Sequence, residues 1–322
     1  KKISEWPKCI DLSCSKLELD SWAHRANKWD TVNEPVNIAI VGKYTGLGDS
    51  YLSVTKALMH SAISADRKLN IIWIEAGMLE DATLAEDPSS HSDAWAKLHS
   101  VDGILVPGGF GERGTEGKIL TAKYARENKV PFLGICLGMQ AAVIEYARNV
   151  LGNKSAHSTE MVPECADPAV IFMPEGSTTH MGGTMRLGAR RTFFQTQDCK
   201  VAKLYNSPPF IDERHRHRYE VNPDMVDKLE AAGCVFVGKD ETNRRMEILE
   251  LESHPFFLAT QYHPEYKSRP GRPSPPFMGL ILAASGQLDR YITTEAIEMR
   301  INAPGGFIQS PLKALKRLNN TM

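Results

Sequence analysis

Val130-Pro-Phe-Leu-Gly-Ile-Cys-Leu-Gly-Met139 begins as a short apolar run and continues into an amphipathic pattern. The run predicts a buried strand from Val130 to Ile135, and the pattern predicts a helix from Leu137 to about Arg148. Cys136 sits at the joint, between Gly134 and Gly138. G-x-C-x-G in a strand–turn–helix context is the cysteine form of the nucleophile elbow. The glycines are needed because so tight a turn leaves no room for side chains against the neighbouring strand or helix. The elbow lifts the sulfur out of the sheet and sets it at a helix N-terminus, where the dipole and free N–H groups favour a thiolate. An isolated cysteine would be read as a buried structural residue. The glycine pair and the strand-to-helix switch reverse that reading.

The chain on either side sorts into strands and helices. Val36–Val41 reads as a buried strand and Gly42–Gly48 as a loop, with Asp49 or Ser50 placed to cap a helix to about Ala65. Asn70–Glu75 is a second strand, and Leu79–Ser92 is polar enough to be a surface excursion. Asp102–Pro107 is a third strand ending in Gly108-Gly109-Phe110-Gly111, and Thr115 is placed to cap a helix to about Asn128. Strands alternating with helices at this spacing mean βαβ units and a mainly parallel sheet. After Leu151 short β-like runs follow: Ala169–Met173, Met185–Leu187, His217–Val221, Cys234–Gly238, Met246–Glu250 and Phe256–Tyr262. One helix near Asp224–Ala232 interrupts them, and Phe277 to about Tyr291 reads as a closing helix. These runs suggest antiparallel ribbons added to an α/β core. Residues 1–34 carry a weak helical pattern with Trp22, Ala26 and Trp29 on one face, expected to be a linker or docking helix. The main domain is expected over 35–295, with a tail at 296–322 holding a basic segment, Leu312–Leu318.

Bulk composition narrows the class. With 322 residues, 42% hydrophobic and 24% charged, the chain can bury a full core. A formal net charge of −1 gives no argument for nucleic acid or an anionic membrane. The six cysteines form no C-x-x-C pair, so free thiols in a reducing, cytoplasmic setting are expected. No apolar run is long enough to span a bilayer, and no signal peptide is evident. The chain begins with Lys1, which suggests a piece of something longer.

A cysteine nucleophile needs a base, and the base needs an orienting partner. His263 follows the apolar strand Phe256–Tyr262 and so emerges at a strand end, where α/β enzymes keep their sites. Pro264 stiffens the turn, and Glu265 is placed to fold back onto the imidazole. A tetrahedral intermediate also needs oxyanion donors, and the glycine run at 108–111 and the Leu137 amide can supply them. The Arg214-His-Arg-His-Arg218 string could be a nucleic-acid patch, but no aromatic ladder accompanies it. His215 and His217 could bind a metal, but no ligand set stands at the right spacing, so no metal site is expected. Gly111…Gly117-Lys118 has the wrong spacing for a P-loop, and Gly46-Leu-Gly48 lacks the third glycine of a dinucleotide fingerprint.

Leu105–Gly111, Gly134–Gln140 and His263–Glu265 resemble the three signatures of the class I glutamine amidotransferases. Gly111–Gly114, Ser158–Glu160, Met181–Gly188, Glu213–Glu220 and Ser274–Pro276 are similar to the glutaminase domain of the CTP synthase family. The match runs from about Val36 to Tyr291. It implies a class I glutamine amidotransferase-like fold, a central mainly parallel sheet flanked by helices with added antiparallel ribbons. It also implies that Cys136 attacks the amide of L-glutamine, that His263 shuttles the proton and that Glu265 orients it. Gly109 and Leu137 would form the oxyanion hole, with Leu137, Gly138, Met139 and Gln140 lining the substrate pocket. Glu160 would read the substrate ammonium, and Arg218 its carboxylate. In such enzymes ammonia passes to an amidoligase domain that uses ATP and magnesium to aminate UTP. GTP activates, and the whole enzyme is a homotetramer. No cofactor is expected in the present domain, and that amidoligase domain is expected to be missing from this chain. The rival readings are another class I glutaminase subunit, a γ-glutamyl hydrolase, and a non-catalytic docking module.

Overall fold

The elbow at Cys136 follows the fourth strand of a nine-stranded mixed sheet in the computed structural model, which describes residues 15–43, 45–46, 48–173 and 185–302. Helix α1 (Ser15–Thr31) leads in, and strand β1 (Pro35–Gly42) follows. Trp22 and Trp29 are 54% and 45% exposed, so that face of α1 stays open to solvent, while Lys28 pairs with Asp66 at 2.7 Å. A 3₁₀ turn at Gly48–Tyr51 precedes α2 (Leu52–Ser64), whose start has no side-chain cap. Asp49 and Ser50 therefore lie inside the turn rather than at a cap.

Strand β2 (Lys68–Glu75) is followed by α3 (Asp81–Glu86) and α4 (Pro88–His99). The expected surface excursion at Leu79–Ser92 is thus largely helical. Pro88 takes a first-turn position where no N–H is needed, and the Asp87 carboxylate accepts from the Ser90 amide at 3.1 Å. Leu79, Ala94 and Leu98 are buried beneath it. Next come β3 (Gly103–Val106), α5 (Thr115–Asn128), β4 (Phe132–Ile135) and α6 (Leu137–Asn149). Gly114, at φ 72°, takes the cap position of α5, and Thr115 is its first helical residue.

The second half holds β5 (Ala156–Ser158), β6 (Asp167–Phe172), β7 (Arg186–Phe194), α7 (Lys200–Leu204), β8 (Phe210–His217), β9 (Tyr219–Val221) and α8 (Pro223–Ala231). β10 (Cys234–Lys239), β11 (Met246–Leu251), β12 (Phe257–Thr260), α9 (Pro275–Ala284), α10 (Leu288–Tyr291) and α11 (Thr294–Asn302) complete the described chain. The single closing helix expected over 277–291 is two helices. Gly286, at φ 67°, adopts the left-handed conformation that ends a helix. Helix α11 runs across position 296 and packs back, with Ile297 buried and Arg300 donating to the Tyr291 carbonyl at 2.7 Å.

The sheet order is β2-β1-β3-β4-β12-β11-β10-β7-β8. The five strands from β2 to β12 are parallel, and the pairings from β12 outward to β8 are antiparallel. A small sheet, β5-β6-β9, lies apart. The apolar core divides between the two faces, as a buried parallel sheet requires. Along β1, Val36, Ile38 and Ile40 join one cluster with Leu58 and Phe277, whereas Ala39 and Val41 join the other with Phe132 and Met139. The longest departure from the sequence reading is the ribbon of β7 and β8, in register from Arg186↔His217 to Phe193↔Phe210. Its inward positions on β8 include Glu213, His215 and His217, so a polar inner face concealed the strand alternation. Met181–Thr184 lie outside the described residues. No helix among the described residues is long and apolar enough to cross a membrane.

Candidate active site

The sequence folds tightly at the elbow because three elements converge there. Cys136 occupies φ 53°, ψ −104°, a conformation that costs a non-glycine residue about 1–3 kcal/mol. Its amide donates to the Thr260 carbonyl at 2.7 Å, and its carbonyl accepts from Met139 and Gln140 at 3.0 and 3.2 Å, which locks the strained turn between β12 and α6. A methyl group at Gly138 would lie 2.2 Å from the Val106 carbonyl oxygen, so the helix can approach β3 only with glycine there. The Cys136 side chain is buried. Its sulfur lies 3.7 Å from Gln261 Nε2 and 3.9 Å from the Arg216 carbonyl oxygen.

His263 leaves the end of β12 with its amide bonded to the Arg214 carbonyl at 2.8 Å. Pro264 opens a 3₁₀ turn, Pro264–Lys267, that brings Glu265 back to the ring. His263 Nδ1 lies 2.8 Å from Glu265 Oε1, and both side chains are buried. That contact makes Nδ1 the donor and leaves Nε2 as the nitrogen able to exchange a proton. Nε2 is buried and forms no aligned hydrogen bond. Burial disfavours the charged ring, but the Cys136 sulfur and the Glu265 carboxylate outweigh it and raise His263 to about 11. Gly108 lies against both: a methyl group there would sit 2.9 Å from His263 Cε1 and 3.4 Å from Cys136 Cβ.

The loop from Pro107 to Gly111 is held from outside by cations. Lys118 Nζ donates to the Pro107 carbonyl at 3.3 Å; Lys43 Nζ donates to the Phe110 carbonyl at 2.9 Å and also to that of Gly111. The Gly111 amide donates to Glu160 Oε1 at 3.0 Å. Lys118 is fully buried, and desolvation with the neighbouring charge of Lys43 lowers it to about 7, against the pull of Cys136. Position 109 neighbours both Leu137 and Lys118. The sequence offers Lys118 only as part of a P-loop that fails on spacing, yet it shares the buried face of α5 with Ala122 and Ala125. A cation in an apolar helical stripe is the signal that could have found it.

Glu160, Tyr219 and Arg218 share one neighbourhood: burial raises the Tyr219 phenol, with the Glu160 charge adding to this and Arg218 opposing it. The expected substrate-pocket residues differ in how they present themselves. Leu137 and Gly138 open α6 beside the sulfur, and Met139 is fully buried in the core. The Gln140 side chain points to the Tyr219 carbonyl at 3.0 Å and to Gln261 Oε1 at 3.4 Å. His215 and His217 are buried and bonded to each other, Nδ1 to Nε2, at 3.1 Å. Among the described residues no group of three His, Cys, Asp or Glu side chains is arranged to hold a metal ion. The whole arrangement suits covalent acyl transfer: a strained thiol at a helix N-terminus, an imidazole held by a carboxylate, and a glycine loop opposite.

Residues 47–283 match the family "Glutamine amidotransferase class-I". The chain is 53% identical over 275 residues to CTP synthase 2 of Xenopus laevis, covering 85% of this chain and 48% of that one. It is 55% identical over 285 residues to the CTP synthase of Drosophila pseudoobscura pseudoobscura, covering 88% and 44%. The chain thus spans about half the length of the curated relatives it matches. Among solved structures, the glutaminase domain of Trypanosoma brucei CTPS with bound acivicin is similar, at 38% identity and a TM-score of 0.72, covering 78% of this chain and 94% of that one.

Proposed function

The chain belongs to the class I glutamine amidotransferases, and from that premise we propose that it hydrolyses L-glutamine through a thioester on Cys136. The Cys136 thiolate attacks the side-chain amide carbon, and the carbonyl electrons move onto oxygen. The Gly109 and Leu137 amides face that oxyanion. The tetrahedral carbon collapses, the C–N bond breaks, and His263 gives its Nε2 proton to the departing nitrogen, releasing ammonia. Water then attacks the thioester while His263 takes a proton from it. The C–S bond breaks, glutamate leaves and the thiolate is restored. Glu265 keeps the ring in one tautomer throughout. Glu160 binds the substrate ammonium and Arg218 its carboxylate, which a planar guanidinium can grip with two hydrogen bonds. The observation that carries this reading is the 2.8 Å contact of His263 with Glu265, in a buried unit with the strained Cys136 elbow.

The relatives are CTP synthases about twice as long. Their likeness supports a finer reading: the ammonia is handed to an amidoligase domain that aminates UTP, with ATP and magnesium bound there and GTP as activator. In that reading residues 1–34 lead in from the amidoligase domain, and the complete enzyme is a homotetramer. The thiol nucleophile suits a reducing compartment such as the cytoplasm. Ammonia release from glutamine tests the reading, measured for this chain and for Cys136→Ala, with and without GTP. Release that disappears in the variant is expected. Release of equal rate from both proteins would overturn it.

A further inference from the structure

Gln261 stands outside the Cys136–His263–Glu265 unit, yet its side-chain nitrogen lies 3.7 Å from the Cys136 sulfur, and the residue is 1% exposed. That distance is within reach of an N–H donor to the large sulfur atom. Which end of the amide faces the sulfur follows from its neighbours. The Tyr219 backbone carbonyl can only accept. It lies 3.0 Å from Gln140 Nε2 and 3.0 Å from His217 Nδ1. Both neighbours must therefore donate: Gln140 presents its NH₂ group, and His217 carries its proton on Nδ1. The same Gln140 NH₂ group lies 3.4 Å from Gln261 Oε1, which accepts. The remaining end of Gln261, its own NH₂ group, is then directed at the sulfur. Turning the amide over would set two NH₂ groups against each other and an oxygen against the sulfur.

The histidines behind this network keep its direction fixed. His217 Nε2, without a proton, accepts from His215 Nδ1 at 3.1 Å. Burial holds both rings neutral: desolvation and the nearby charges lower His215 and bring His217 to about 3, despite the latter's bond to Tyr219. The Tyr219 carbonyl, which can only accept, keeps the His217 proton on Nδ1; Glu247, 3.7 Å from His215 Nε2 and raised by burial to about 7, titrates on the far side of the pair.

We infer that Gln261 is a further catalytic residue, which donates a hydrogen bond to the Cys136 thiolate, and that Gln140 is a positioning residue that fixes the direction of that donor. A thiolate accepts such a bond far better than a thiol or thioester sulfur does. The bond therefore favours the ionised nucleophile. It also favours the second half of the reaction, in which the C–S bond breaks and sulfur leaves as thiolate. Other titratable groups face this sulfur: His263 after β12 with Glu265 behind it, and Lys118 from α5, which gives up its proton near 7 and does so in every protein compared. All stay in place in the variants below.

The inference rests on Cys136 being the nucleophile, so its test reads the titration of the sulfur as well as turnover. Cys136 is alkylated with iodoacetamide from about pH 5 to about pH 10 and followed by peptide mass spectrometry. The proteins compared are the unaltered chain, Gln261→Leu, Gln261→Glu and Gln140→Leu. Loss of a hydrogen bond to a charged group moves the Gln261→Leu midpoint up by about one pH unit, a tenfold loss of thiolate below it. Gln261→Glu moves it further, and Gln140→Leu moves it less in the same direction. Turnover falls by about tenfold with KM little changed. Unmoved midpoints in the Gln261 variants overturn the inference. If Gln261→Leu does not fold, as judged by circular dichroism, Gln140→Leu decides by the same criterion. Ammonia release that survives Cys136→Ala would sink the nucleophile assignment separately, whatever the midpoints do.

Discussion

Glu265 Oε1 lies 2.8 Å from His263 Nδ1, only two residues away along the chain, because Pro264 turns the backbone between them. The carboxylate and the ring are held by local geometry, whereas the Cys136 sulfur, which they are proposed to serve, arrives from a different strand. This division lets the acid–base pair be perturbed without moving the nucleophile.

Glu265→Gln keeps the length of the side chain and removes its charge. The amide can turn its oxygen to Nδ1–H, so the ring stays in place, but the positive imidazolium loses its counter-charge. The raised pKa of His263 falls. Turnover drops by about 10²–10⁴-fold with KM nearly unchanged, the usual worth of positioned acid–base catalysis. Steady-state ammonia release against glutamine concentration checks it. An effect on KM alone would assign Glu265 to binding.

Gly138→Ala tests the packing beneath the elbow. The added carbon would lie 2.2 Å from the Val106 carbonyl oxygen, a backbone atom of a buried strand with nowhere to go. Either α6 shifts away from β3 or the turn at Cys136 relaxes. Stability falls by about 1–3 kcal/mol or more, as read from urea denaturation. Activity falls further than stability explains, because the sulfur moves relative to His263.

Much of this site is legible in the sequence because its parts are local. Gly134-x-Cys-x-Gly138 and His263-Pro-Glu265 each encode their own geometry over three to five residues, and the alternation of apolar strands and helices from Val36 to Arg148 encodes four of the five parallel strands; the fifth, β12, is expected among the antiparallel ribbons but pairs parallel to β4, a long-range contact that its own residues do not encode. What was not legible depends on contacts far apart in sequence. The ribbon of β7 and β8 turns Glu213, His215 and His217 inward, so its buried face carries no apolar alternation. Lys118 and Gln261 gain meaning only when β3, β4 and β12 lie side by side. The helices over 81–99 were hidden by polar residues and a proline that marks a helix start as readily as a loop.

Glu213→Gln predicts a pH-dependent gain in stability. Desolvation raises Glu213 from its ordinary 4.5 to about 7, the charge of Lys267 and the Tyr205 hydroxyl only partly offsetting it. The hydroxyl donates to Oε1 at 2.9 Å, while Oε2 is buried without a partner. Between these two pKa values the folded state holds a proton that the unfolded state has lost, so stability declines as pH rises through the interval. The penalty is absent below about pH 4 and complete above about pH 7, where it amounts to about 3 kcal/mol. Gln carries no such penalty. The variant therefore gains more over the unaltered protein at about pH 8 than at about pH 5, either side of the buried titration. Thermal melts at both values check it; an equal difference at both would show that Glu213 does not titrate in this interval.

Glu160 and Arg218 are proposed to hold the two ends of the same substrate, but their surroundings predict different kinetics. Arg218 follows the end of β8, and its carbonyl accepts from the Met173 amide at 2.9 Å, so its backbone is fixed apart from the oxyanion loop. Arg218→Lys loses two-point recognition of a carboxylate while keeping the charge. It raises KM for glutamine by about tenfold or more and leaves kcat largely intact. Glu160 also accepts the Gly111 amide at 3.0 Å, at the end of the loop that carries Gly109. Glu160→Ala therefore removes both the contact with the substrate ammonium and a tether of the oxyanion loop. It raises KM and lowers kcat together. Steady-state kinetics of the two variants, side by side, separate the roles. Equal losses in kcat for both would place Arg218 in the loop's support as well, and an unchanged kcat in Glu160→Ala would show that the tether to Gly111 does not hold the catalytic geometry.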